Sequence, residues 1–133
     1  MAGMYVNGVQ QIMAGNVDLI NDSISALLIN TDLYAVDLDT DANQSDIPTD
    51  AVLAEKTLTG NTLDGTTFRA DDATLNAVEG VQVGAVILIK DTGEYTNSTL
   101  LAYLDDAAQF PITPDGEDIT VRWALDVNGI FKL

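Results

Sequence analysis

The side chains of this sequence that could do chemistry are nearly all carboxylates. Asp37-Leu38-Asp39-Thr40-Asp41-Ala42-Asn43 sets oxygen donors at alternate positions, the D-x-D-x-D-x-N spacing with which hard oxygen ligands surround calcium. The match to an EF-hand loop then breaks. Its sixth place calls for glycine and its twelfth for a bidentate glutamate, and here those places hold Ala42 and Pro48. Asp37, Asp39 and Asp41 stand as candidate ligands of a generic surface calcium site; the simpler reading, a solvated loop held by Asx-turns, is preferred. Adjacent acids recur at Asp71-Asp72, Asp105-Asp106 and Glu117-Asp118, the raw material of a glycosidase pair. With 21 acids in 133 residues, such neighbours arise without selection for catalysis. No histidine and no cysteine occur, which removes imidazole bases, thiol nucleophiles, disulfides and zinc or iron–sulfur ligation through those residues. A Ser–Lys arrangement would have to draw on Lys56, Lys90 or Lys132. No catalytic residue and no cofactor is assigned, and the chain reads as non-enzymatic.

Five Lys and Arg against 21 Asp and Glu give a formal charge of −16. A surface of that sign repels phosphate backbones and anionic lipid, so neither a nucleic acid nor a membrane is expected as a partner. The scarce cations are therefore informative. Arg69 and Arg122 are expected to pair with carboxylates within or between subunits, although an exposed pair contributes only about 0–1 kcal/mol. Together with Tyr5, on an apolar-tipped N-terminus, they are the candidates for inter-subunit contact. Trp123, Tyr95, Tyr103, Phe110 and Phe131 form a possible interface set, of which Trp123, Tyr103 and Phe131 read as core at strand spacing. The opening Met1 to Val6 has no basic stretch before an apolar one, so no signal peptide is expected. No apolar run, Ala85 to Ile89 included, approaches the length of a membrane span. The sequons at Asn21, Asn43 and Asn97 are then most simply chance.

The elements that must carry these residues are mostly strands. Tyr5 to Ala14 suits a short helix ended by Gly15. Ser23 to Ile29 alternates and then becomes wholly apolar, as a strand entering a core does. Asn30 to Asp50 is a long Asp-rich excursion, read as partly helical around Leu33 to Val36. Val52 to Leu58, Thr67 to Arg69, Ala73 to Val78, Val81 to Lys90, Leu100 to Leu104, Ile119 to Trp123 and Gly129 to Leu133 read as strands, with Gly60-Asn61 and Asp64-Gly65 as turns. Val81 to Lys90 is the strongest and is expected at the centre of a sheet. Ile24, Leu28, Val83, Ala85, Ile87, Ile89, Leu101, Tyr103, Val121, Trp123 and Phe131 are the expected core. Short strands with turns every 8 to 15 residues predict a mainly β protein. The expected fold is one antiparallel β-sandwich or jelly-roll-like barrel over residues 1–133, with an N-terminal helix or arm over about residues 1–15.

A resemblance runs through the chain. Gly8 to Gly15, Asp18 to Ile24, Ala70-Asp71-Asp72, Lys90 to Gly93, Leu101 to Asp105, Pro111 to Trp123 and Ile130 to Leu133, in that order, resemble a family of small acidic virion proteins of tailed bacteriophages. Members of that type are treated as capsid cement or decoration proteins or as uncharacterised structural proteins. The resemblance implies a protein on the outer capsid surface of the virion, made in the host cytoplasm. It also implies the major capsid protein as partner, a homotrimer at local three-fold positions, and no catalysis. The chain departs from the pattern at Glu117, where a second glycine is usual, and at Ala124-Leu125, where a polar turn usually begins. The competing readings are a tail, baseplate or fibre-associated structural module and a carbohydrate-binding β-sandwich.

Overall fold

The computed structural model describes residues 3–80, 82–105, 110–123 and 129–133; Met1, Ala2, Val81, Asp106, Ala124 and Leu125, which enter the readings above, lie outside them. The expected class is what is found: antiparallel sheets and one short helix near the N-terminus. In chain order the elements are β1 (Gly3–Met4), α1 (Val6–Met13), β2 (Ile24–Ile29), β3 (Val52–Thr57), β4 (Thr62–Asp64), β5 (Thr67–Arg69), β6 (Ala73–Leu75), β7 (Ala85–Lys90), β8 (Thr99–Leu104), β9 (Ile119–Val121) and β10 (Phe131–Lys132). They form a five-stranded sheet in the order β1-β8-β7-β2-β3, a three-stranded sheet β10-β5-β4 and a two-stranded sheet β6-β9. β7, the strand with the densest β-branched run, lies at the centre of the largest sheet as expected.

Both faces of that sheet are covered, which explains why β2 is buried at every position instead of alternating with solvent. On one face Ile24, Ala26 and Leu28 of β2 and Val86 and Leu88 of β7 pack with Phe68, Leu75, Val121 and Phe131 from the two smaller sheets. On the other, Leu27, Ile29, Ala85, Ile87, Ile89, Leu100 and Tyr103 pack under Tyr34, Ile47 and Ala51 of the 30–51 excursion. Every expected core residue is buried except Trp123, which is half-buried against the first cluster. A bulge between Leu88 and Ile89 leaves Leu101 without a partner in the register, so Leu100 and Leu101 serve opposite faces.

Several boundaries differ from expectation for local reasons. Leu33 to Val36 is not helical: Asn30 Oδ1 accepts the Asp32 N–H and its carbonyl accepts the Leu33 N–H, an Asx-turn that competes with helix. The excursion is instead shaped by two single 3-10 turns, Gln44–Asp46 and Thr49–Ala51. β6 stops at Leu75 because Ala77 adopts φ +49°, with its N–H held by Asp118 Oδ1 at 2.9 Å. β7 begins only at Ala85, although Val83 still bridges to Ile112. β4, unassigned from the sequence, pairs with β5 through a two-residue Gly65-Thr66 loop; Gly65 has φ +61°, the glycine-first pattern of a II′ turn.

Helix α1 crosses β8 at close range. The buried Gly8 makes this possible: a Cβ there would lie 2.3 Å from Leu100 O and 2.9 Å from Leu101 Cα. Alanine at a helical glycine ordinarily gains up to about 1 kcal/mol of propensity. Here the obstacle is the backbone of a paired strand, which cannot step aside, and overpacking of that kind costs about 1–3 kcal/mol. Gly8→Ala is therefore expected to lower the melting temperature despite better helix propensity; an unchanged or raised melting temperature would show that α1 shifts freely on β8.

Candidate functional site

The Asp-rich loop is built as a set of turns. Asp37 Oδ1 accepts the N–H groups of Asp39 and Thr40 at 3.1 and 3.2 Å; hydrogen bonding by the Thr40 side chain first, and then by these backbone groups, holds its carboxyl below the usual carboxylate range. Asp41 Oδ2 accepts the Tyr34 hydroxyl at 2.5 Å and the Asp37 N–H at 3.2 Å. Asp46 Oδ2 accepts from Ala42 and Asn43 N–H and caps the turn after them. Asp37 thus closes an Asx-turn on Asp39, while the Asp41 carboxyl is turned to Tyr34 and back to the Asp37 N–H. Among the described residues no three acidic side chains are grouped so as to hold a metal ion.

Asp41 leads inward. Tyr34 spends its only hydroxyl proton on Asp41, so the 2.9 Å contact between Tyr5 and Tyr34 has Tyr5 donating and Tyr34 accepting. The chain Tyr5–Tyr34–Asp41 ties the N-terminal segment to the excursion over the second core cluster. This corrects the reading of Tyr5 as an inter-subunit contact. It is 0 % exposed, its N–H is donated to Leu101 O, and its hydroxyl is satisfied internally. Burial, the leading cause, pushes both phenols above their ordinary range, and the hydrogen bond to Asp41 adds to the effect at Tyr34.

The two arginines singled out by scarcity come to one neighbourhood. Arg69 ends β5, two residues before Asp71, and its Nε lies 3.9 Å from Asp64 Oδ2. Arg122, exposed, precedes Trp123, whose indole N–H donates to Asp71 O at 3.0 Å and whose backbone N–H donates to Asp72 Oδ1 at 3.2 Å. Asp71 Oδ2 also accepts from Thr59 Oγ1 at 3.4 Å. The Asp71-Asp72 pair therefore seams strand ends together, and Asp118 holds Ala77; neither presents two free carboxyl groups across a cleft. Asp105, on the described side of the third pair, follows β8 and is half-buried.

A second surface feature had no signal in the sequence. The 42–47 segment docks on the 94–100 segment through Gln44 N–H to Ser98 O (2.9 Å), Ser45 N–H to Tyr95 O (3.0 Å) and Leu100 N–H to Ala42 O (3.0 Å). Their junction leaves a notch of about 20 Å³ lined by Gln44, Ile47, Thr49, Val52 and Tyr95. It has room for a water or the tip of a side chain, and is far below the several hundred Å³ of a metabolite pocket. No protein-family model and no curated protein matches this chain.

Proposed function

We propose that the protein is a non-catalytic structural component of a tailed-phage virion, a cement protein that binds the outer capsid surface and strengthens the head. The observation that carries this reading is the ordered likeness, through most of the chain, of Gly8–Gly15, Asp18–Ile24, Pro111–Trp123 and the other segments quoted above to small acidic virion proteins. The chemistry of the chain supports it. A charge of −16 keeps such a protein from binding packaged DNA and soluble when crowded on a shell. A sheet buried on both faces gives it a stiff body.

In this reading the partners are the major capsid protein and two further copies of the chain, with no nucleic acid and no membrane. Each subunit straddles neighbouring shell subunits, and many modest contacts add through multivalency. Particles assembled without the protein are expected to form but to rupture at lower temperature than complete ones, with the protein present at a copy number comparable to that of the major capsid protein. Equal robustness, with only a few copies confined to one vertex, would overturn the reading in favour of a tail module.

A further inference from the structure

The three-stranded sheet β10-β5-β4 ends in two open edges that complement each other. In β4, Leu63 lies opposite Phe68, whose carbonyl accepts the Ile130 N–H on the far side of β5. Leu63 and Phe68 are therefore a pair without mutual hydrogen bonds, and the Leu63 N–H and C=O point away from the sheet. In β10, the Leu133 N–H donates to Thr66 O at 3.0 Å, so Lys132, one residue before it, turns its own N–H and C=O out along the opposite edge. Side chains alternate to match. Leu63 shares a face with Phe68 and Phe131, and Leu133 continues that face two residues on; Asp64 and Lys132 lie on the other face, on either side of Thr67. Leu63 and Leu133 are 52 % and 46 % exposed, and Asp64 and Lys132 are exposed as well. Edge strands are commonly blunted by charge at the pairing position, by proline or by a bulge. Here the middle of β4 is a leucine, and the two edges carry opposite charges.

We propose that the β4 edge of one copy of the chain pairs with the β10 edge of a second copy. β4 and β10 both run antiparallel to β5 and hence parallel to each other, so a rotation about an axis along the strands brings them together as a parallel pair. With Leu63 beside Phe131 of the second copy, Asp64 falls beside its Lys132. The Lys132 N–H then meets the Leu63 carbonyl, because bonded residues in a parallel ladder are offset by one. An antiparallel meeting of these edges would set Leu63 opposite Lys132 and join the core face of one copy to the outer face of the next. Two β4 edges meeting about a two-fold axis would put two Asp64 carboxylates on one strand pair of a chain at −16, whereas Lys132 is one of only five cations. The pairing joins unlike edges, so it repeats from copy to copy and closes where the rotation allows. It is small, so the dilute chain is monomeric and association appears on concentration. It bears on the self-association in the virion reading without resting on it: its failure would still leave a capsid-bound monomer.

The test is sedimentation equilibrium of the full chain over a rising concentration series at about 0.15 M salt, where a Debye length of about 8 Å screens the general self-repulsion more than a pair in contact. Reversible association is expected, weakened about tenfold by Lys132→Glu or Asp64→Lys alone and recovered when the two changes are combined. Leu63→Pro removes an N–H that faces solvent in the single chain, so it is expected to keep the fold and abolish association. A chain that stays monomeric up to about 1 mM, association that survives Lys132→Glu, or a folded double variant that does not recover would each overturn the pairing. Association that survives Lys132→Glu but is lost in Leu63→Pro would replace it with two β4 edges meeting each other. Should Leu63→Pro fail to fold, the charge exchange decides alone.

Discussion

Replacing Ile87 by alanine is expected to remove about 2–5 kcal/mol of unfolding free energy, the range for a fully buried aliphatic whose site cannot collapse. Ile87 is 0 % exposed in the middle of β7, itself in the middle of the five-stranded sheet, and its register partners are Leu27 and Tyr103. All three side chains belong to the cluster roofed by the excursion. Because the neighbouring strands are hydrogen-bonded on both sides of β7, the backbone cannot close the void. Against a typical total of about 5–15 kcal/mol, the loss is a large fraction of the stability. Leu63→Ala is the comparison: Leu63 is half exposed on the edge strand β4, and its loss should stay within about 0.5 kcal/mol. Chemical denaturation of the two variants checks both numbers. A loss at Ile87 no larger than that at Leu63 would mean that the excursion does not seal the second core.

The contrast between those two residues also marks where the sequence was legible. Ala85 to Lys90 announces a buried central strand by β-branched density, and Asp64-Gly65 announces a turn, because both signals are local. The face alternation of Ile119, Val121 and Trp123 is local too, and all three do pack on one cluster. Tyr5 is different. Its burial depends on Tyr34, 29 residues away, swinging over the sheet to join it to Asp41, and nothing in the spacing of the Asp-rich segment encodes that. The same segment misled the helix reading at Leu33 to Val36, where side-chain oxygens of Asn and Asp take the backbone bonds a helix needs. The arginines stand out by their scarcity, but the bonds from Trp123, next to Arg122, to Asp71 and Asp72, just after Arg69 at the end of β5, join segments some fifty residues apart and have no local signal. Gln44 could not have been found at all. Its residue type is ordinary, and only the docking of two loops some fifty positions apart buries it beside the notch.

Alkaline pH is expected to unfold the protein steeply, beginning near pH 10. The folded state holds the phenols of Tyr5 and Tyr34 above their ordinary value of 10.0, chiefly through burial; Asp41 raises both, and Tyr103 and Asp46 add to the effect at Tyr5. An acid whose folded value lies above its unfolded value contributes stability that is fully present below the unfolded value and is lost as pH rises past it, because only the unfolded chain then releases the proton. Each such tyrosine therefore removes about 1.4 kcal/mol of stability per pH unit above pH 10, and the two together about 2.7 kcal/mol. Tyr103, also buried and also raised by burial and by Asp105, steepens the slope further. General self-repulsion of a chain at −16 acts in the same direction, so the measurement belongs in high salt, where the Debye length falls to about 3 Å at 1 M and that contribution is screened. Tyr34→Phe separates the two causes. It leaves the Tyr5 hydroxyl without its acceptor and takes a donor from Asp41, which costs about 1–3 kcal/mol at neutral pH. It also deletes one titrating group, so the decline above pH 10 becomes shallower by one proton. Denaturation midpoints across pH 8 to about 11.5, read beside the phenolate absorbance of a Tyr95→Phe background that removes the one exposed phenol, would show ionisation of the buried tyrosines and unfolding as a single event; phenolate appearing in that background while the fold is intact would mean that water reaches the buried phenols and that the excursion is a loose flap over the sheet.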